Sequence, residues 1–373
     1  METYRLRSKL VENKKEFVIQ TINNSNEGEI LSTVYANQEE TEKVSCPYPE
    51  SMSQEDLLSL VKSTHEEKKK ELELLLDNYR RVIAGNDPEL LHHLGVAFYY
   101  RRLYREAEEL FQKAVSLNPD HHRAYNYLGM TYLALNRIVE GIESCTVAVQ
   151  KCPGYADYRN NLGELLLANR SCRQAISEFE EAIRINLYYG DAYLNLGLAR
   201  VLNAIIENDP NSLPGVVRVA TDNFKKASLI YADYDTAAFT QGLEALQRAD
   251  LRRAFSIFHR LREDKKEKHR REFASFYVKF AMHPDWITEE VVNERIRFLE
   301  SEIKKNPSYI DLYAELGHCL LQRAKFSWQR GVEKFRKAAE LNPSLSKAQC
   351  SLDEAEREYD NICAALRKIS EQS

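Results

Sequence analysis

The sequence predicts a mostly α-helical solenoid of stacked helix pairs, preceded by a small β-meander and a long charged helix. Three observations carry that prediction. Gly95, Gly129, Gly163 and Gly197 stand 34 residues apart, inside four apolar segments that align without gaps. After each of the first three segments comes a small residue, a larger one four on, and an alanine three further: Ala107/Phe111/Ala114, Gly141/Cys145/Ala148 and Ala175/Phe179/Ala182. The first 46 residues, by contrast, hold β-prone stretches with no helical period.

Those stretches are FVIQTI (17–22), ILSTVY (30–35) and a weaker EKVSC (42–46), separated by NNSNEG and NQEE. They predict an antiparallel meander within residues 1–50. CPYPES ends it, and Ser53 is placed to cap a long charged helix spanning 53–84. A meander this small is marginal by itself. It is therefore expected to dock on the first repeats or on a partner.

The repeat has a simple physical basis. Spacings of three and four put its apolar residues on one helical face. The glycines and small residues let two helices approach closely, while Leu94, Leu128, Leu162, Leu196, Phe111 and Phe179 fill the space between stacked units. Pro119 and Pro153 close the first two units in register. One unit cannot bury its own apolar face, so stability comes from stacking. The pattern closely resembles the tetratricopeptide-repeat (TPR) family. That resemblance implies a right-handed superhelix of helix pairs, with the first helix of each unit facing a concave groove.

On this reading residues 88–268 hold five units: 88–121, 122–155, 156–189, 190–234 and 235–268. The fourth carries an insertion, the breaker-rich ENDPNSLPG (207–215), which delays its second helix (Ala220, Phe224, Ala227) by 11 residues. The fifth is recognised from Gly242, Ala254 and Phe258. Residues 269–309 read as a degenerate helix pair around MHPDW (282–286). A last unit at 310–344 has Gly331, Phe335, Ala338 and Pro343 slightly displaced, and 345–373 reads as a capping helix.

Composition narrows the function classes. The chain is 43% hydrophobic and 29% charged with a formal net charge of −5, which does not mark the whole protein as a nucleic-acid binder. Seven cysteines without a CxxC pair read as reduced thiols rather than a disulfide framework. The charged N-terminus shows no secretory signal and no segment is apolar enough to span a membrane, so the expectation is a soluble, cytoplasmic protein. GxGxxG, P-loop, GxSxG and HExxH motifs are all absent. The reading is a non-enzyme with no catalytic residues, no cofactor and no metal.

The site expected instead is the groove. Asn126, Asn160, Asn161 and Asn195 recur just before the repeat glycines, and a side-chain amide can pair with the backbone of an extended peptide. This resembles the asparagine ladder of O-GlcNAc transferase TPR superhelices; the alternative is that asparagine is simply common on helix surfaces. His92, His93, Arg123, Tyr127 and Glu164 complete the groove set, with Tyr125 and Tyr193 as further contacts. The lysines of a chaperone carboxylate clamp are missing. Adjacent histidines (His92/His93, His121/His122) point about 100° apart and lack a completing ligand set, so they read as solvated or groove-lining. Cys145 fills a slot that holds Phe in its neighbours, and reads as packing.

One stretch, 248–271, is basic. It reads as the solvated outer face of a helix and the turn after it. The alternative is a patch for nucleic acid or another polyanion through Arg252, Arg253, Arg260, Lys265, Lys266, Arg270 and Arg271. The expected partners are one or more proteins, bound as a peptide or helix in the concave groove. Self-association through the solenoid ends or the β-prone N-terminus is a further expectation.

Overall fold

The computed structural model describes residues 3–12, 15–36, 38–211, 213–281, 288–305, 310–342 and 346–372. Strands β1 (Arg5–Glu12), β2 (Lys15–Asn24), β3 (Glu29–Ala36) and β4 (Glu39–Pro47) form one antiparallel sheet in that order. Sequence reading finds the last three and passes over β1. Its RLRSKLVE alternates charge with apolar residues because it is an edge strand with one face outward.

The sheet does not stand alone. Phe17, Ile19 and Val34 enter one core with Leu72, Leu75 and Tyr79 of α1 (Gln54–Ala84) and with Leu91 and Phe98 of the first repeat. Ser53 caps α1, its Oγ accepting from the Asp56 amide at 3.1 Å. Midway along α1, buried His65 is hydrogen-bonded to Thr21 Oγ1 at 3.0 Å and Ser8 Oγ at 2.8 Å. Arg101, only 2% exposed, donates to Glu42 of β4 at 2.9 Å and to Glu71 of α1. The meander is thereby docked on α1 and the first repeat.

Five helix pairs follow. They are α2 (Pro88–Tyr100) with α3 (Tyr104–Leu117), α4 (His122–Ala134) with α5 (Ile138–Lys151), and α6 (Ala156–Ala168) with α7 (Cys172–Ile185). Then come α8 (Gly190–Glu207) with α9 (Leu213–Ile230) and, after a 3₁₀ turn at Ala232–Tyr234, α10 (Ala237–Gln247) with α11 (Leu251–Ala281). Within a pair, the glycine of the first helix receives the large residue of the second. A Cβ at Gly95 or Gly163 would meet the ring of Phe111 or Phe179 at 2.6 Å.

The turn inside a pair is also periodic. Arg102, Asn136, Arg170 and Ala249 all adopt φ of 58–59°. Each gives its amide to a carbonyl three residues back, while the next amide reaches five back, as in Leu103 to Phe98. That is a Schellman motif closed by a non-glycine residue. Only the ends of the 207–215 insertion are helical: α8 runs to Glu207 and α9 starts at Leu213, each 18 residues long.

The later chain departs from the expected units. A boundary expected at 268 falls inside α11, because no Pro or Gly interrupts residues 251–281. The break expected at MHPDW lies outside the described residues. Helix α12 (Glu289–Lys305) precedes α13 (Ile310–Leu341), a single 32-residue helix in place of the expected helix pair. Nothing lies within 4 Å of a Cβ at Gly331, and Phe335 stays 42% exposed, so no glycine–aromatic contact forms to fold the helix back. Pro343 lies outside the described residues. Helix α14 (Ser346–Gln372) packs along α13, where Trp328 Nε1 donates to the Ala355 carbonyl at 2.9 Å. No helix of the described residues is long and apolar enough to cross a membrane.

Candidate functional site

Helices α2, α4, α6 and α8 line one inner face, and the four asparagines lie on it. Asn161 Nδ2 donates to Asn126 Oδ1 at 3.0 Å, and Asn195 Nδ2 to Asn160 Oδ1 at 2.9 Å. The amides thus form a ladder, but with one another, across the seams between neighbouring first helices. Asn126, Asn160 and Asn195 are 4%, 3% and 1% exposed. Glu164 joins them, its Oε1 accepting from Asn195 at 3.2 Å and Asn160 at 3.3 Å.

What faces this ladder is α11. Its first half is an ordinary second helix, with Ala254 and Phe258 fully buried and a Cβ at Gly242 placed 2.7 Å from the Phe258 ring. Its second half runs on, back along the inner face toward the first repeat. Arg262 Nη1 donates to Asn195 Oδ1 at 3.4 Å, and Lys265 Nζ pairs with Asp191 Oδ1 at 2.6 Å. Lys266 Nζ pairs with Glu164 Oε2. Farther on, Arg102 pairs with Glu267 at 2.6 Å and Arg270 Nη1 donates to the Tyr100 carbonyl at 2.7 Å.

The electrostatics follow. Burial alone would raise the Glu164 carboxyl, but the Lys266 ammonium and Arg262 guanidinium hold it below the usual carboxylate range. Asp191 behaves alike: burial opposes ionisation, and Lys265 with the Tyr234 hydroxyl overcomes it. Tyr234 donates to Asp191 at 2.6 Å, and Lys265 Nζ sits 3.5 Å from the centroid of the Tyr231 ring. Both carboxylates are ionised and matched to cations on one helix.

The stretch read as a solvated face and turn therefore divides. Arg252, Arg253 and Arg260 are exposed, Arg260 lying 3.8 Å from Asp264. Lys265, Lys266 and Arg270 turn inward, and Arg271 pairs with Glu267 at 2.8 Å on its own helix. No turn follows, because the helix continues. The pairing of Glu164 with Lys266 spans 102 residues, so no local pattern signals it. Sequence reading also passes over Asp191, although it stands one helical turn before Asn195 on the same face of α8.

The remaining residues expected in the groove gather at the first two repeats. His92 and His121 are buried with ring centroids 4.9 Å apart, and His92 also meets Tyr127 edge-on at 5.6 Å. Tyr127 stacks on Phe111 at 5.7 Å. Arg123 reaches Glu89 at 3.0 Å, and His93 lies 4.0 Å from the same carboxylate. Burial, then the neighbouring His93 and His121, push the His92 imidazole well below its ordinary value. Among the described residues no group of three or more His, Cys, Asp or Glu is placed to hold a metal ion. Cys145 is fully buried against Gly129, and burial raises its thiol far above the ordinary value.

Comparison with known proteins fits this architecture. The tetratricopeptide-repeat family model matches residues 93–156. The chloroplastic tetratricopeptide repeat domain-containing protein PYG7 of Arabidopsis thaliana is 27% identical over 121 residues, covering 31% of this chain and 40% of that protein. A UDP-N-acetylglucosamine–peptide N-acetylglucosaminyltransferase of Giardia intestinalis is 27% identical over 120 residues, 32% of this chain and 8% of the transferase. The chain spans less than half the length of these curated relatives. Among solved structures, a thermophilic TPR protein of Thermus thermophilus aligns over 63% of this chain and all of its own, at 19% identity and TM-score 0.35. The 34-residue register of helix pairs and the family match across residues 93–156 identify tetratricopeptide repeats in this part of the chain.

Proposed function

We propose that the chain is a protein-interaction scaffold that binds an extended peptide or a helix of another protein in the groove lined by α2, α4, α6 and α8. The observation that supports this reading most directly is that the groove already accepts a helix, the second half of α11. Its lining offers ionised Glu164 and Asp191, buried amides and tyrosine rings, a mixture suited to holding a polypeptide. The Giardia relative is named as a transferase acting on peptide. With Lys265, Lys266 and Arg270 turned toward groove acceptors, the observations favour the groove over a polyanion patch.

The test is capture from native extract on three immobilised baits. These are the wild type, a Glu164→Lys/Asp191→Lys variant, and a control carrying Glu143→Lys on the exposed side of α5. Circular dichroism first verifies that all three keep their helices. A protein held by the wild type and control but lost by the groove variant supports the reading. Equal capture by all three places the binding surface elsewhere.

A further inference from the structure

The second half of α11 is built unlike any other second helix of the array. Helices α3, α5 and α7 have 14 residues each, whereas α11 has 31. Its sequence also changes character where it leaves the fifth unit. Residues 251–261 carry the buried Ala254 and Phe258, but residues 262–271 read REDKKEKHRR and contain no apolar side chain. This segment is held in the groove through charge and hydrogen bonds: Arg262 to Asn195, Lys265 to Asp191, Lys266 to Glu164, Glu267 to Arg102 and Arg270 to the Tyr100 carbonyl. Lys268 adds a pair to Asp233 at 3.1 Å.

Such a seat has two consequences. Partly exposed ion pairs are individually weak and are screened by salt, so the segment is far easier to lift than the apolar half that anchors it. The groove, however, is selective about what replaces it. Glu164 and Asp191 are paired with Lys266 and Lys265 of the seated segment, and an occupant that excluded water without bringing cations would leave both carboxylates uncompensated. An occupant that displaces the segment must bring its own cations, at positions matching 262, 265, 266 and 270. Those spacings of three and four fall on one face of a helix.

Resting on the groove reading above, we infer that the partner is a basic helix carrying Lys or Arg at i, i+3, i+4 and i+8, and that residues 262–271 of α11 are its built-in competitor. A neutral or acidic segment leaves Glu164 and Asp191 uncompensated and is rejected. The affinity of the intact chain for such a helix is reduced by the fraction of molecules in which α11 is seated.

The experiment uses a fluorescein-labelled synthetic peptide of residues 256–281, added to the full chain and followed by anisotropy. The wild type is compared with an opened variant, Lys265→Glu/Lys266→Glu, and with that variant further carrying Glu164→Gln and Asp191→Asn. The opened variant is expected to bind the peptide at least about tenfold more tightly than the wild type, and the neutralised variant to lose that gain. A peptide with Glu at the four cationic positions is expected not to bind. Equal affinity of wild type and opened variant, or no binding by a helical opened variant, overturns the inference and leaves the groove reading standing. Peptide uptake by the opened variant, with no protein lost on reversing the groove carboxylates, overturns the groove reading, and the partner class falls with it.

A second measurement needs no variant. Hydrogen exchange of the wild type is expected to speed up in residues 262–271 on going from low to molar salt, with 251–261 unchanged. Equal protection of the two halves at both salt concentrations also overturns the inference.

Discussion

Lys266 and Glu164 lie 102 residues apart in the chain and form an ion pair inside the groove, joining the fifth repeat to the third. The two partners are unequal: Lys266 is 40% exposed, and Glu164 5%. Removing the cation strands a buried carboxylate, whereas removing the carboxylate returns the lysine to water. Lys266→Ala is therefore expected to cost about 1–3 kcal/mol and Glu164→Gln roughly 1 kcal/mol or less. The double variant is expected to lose less than the sum. Urea unfolding of the four proteins in a double-mutant cycle checks this, and strict additivity would contradict the pair.

The histidines of the first repeats predict a pH dependence. Burial, with His93 and His121 adding to it, lowers the His92 imidazole well below 6.5, so the unfolded chain binds a proton there more readily than the folded one. Stability from this group is present above pH 6.5 and is lost as pH falls below it. His93, His121 and His122 are lowered in the same direction, first by burial in each case. The melting temperature is expected to drop between pH 7 and pH 5.5. His92 Nδ1 is buried without a hydrogen-bond partner, so His92→Leu is expected to shrink that drop without lowering stability at pH 7. An unchanged pH profile in the Leu variant would show that His92 is not a source of it.

A separate acid step belongs to the junction of sheet, α1 and first repeat. Burial resists ionisation of Glu71, but Arg101 and Lys68 carry it down from 4.5 to about 2. Its contribution is complete above pH 4.5 and is lost as pH falls toward 2. Arg101→Ala leaves Glu42 and Glu71 sharing the ammonium of Lys68 and is expected to destabilise by about 3 kcal/mol. Proteolysis between the sheet and the first repeat gives an independent reading, since the variant is expected to release β1–β4 first. A stable, protease-resistant Arg101→Ala protein would mean that apolar packing alone docks the sheet.

How much of this is legible in the sequence follows from the range of each interaction. The contact of Gly163 with Phe179 is a 16-residue relation repeated at fixed register, so periodicity reveals it. The length of α11 is open to reading in principle, since no breaker interrupts 251–281; the strength of the repeat period masks it. The occupied groove is not legible. Lys266 and Glu164 are brought together by the curvature of the whole array, and a run of charges looks the same whether it faces water or an acidic groove. The asparagine ladder is legible in position but not in partner, because spacing does not say whether an amide meets a peptide or the next helix.

The turns inside the helix pairs supply a final prediction. Arg102, Asn136, Arg170 and Ala249 each hold a left-handed backbone at the helix C-terminus, where glycine has no steric penalty. Alanine has no side-chain hydrogen bond to offset the cost there, so Ala249 is the least well suited of the four. Relief of the left-handed strain, about 1–2 kcal/mol, outweighs the entropy cost of glycine, about 0.5–1 kcal/mol. Ala249→Gly is therefore expected to stabilise the fifth unit by up to about 1 kcal/mol and raise the melting temperature. It is also expected to leave the groove, and hence peptide binding by the opened variant, unchanged. A lower melting temperature would show that the Ala249 methyl group contributes packing that outweighs its backbone strain.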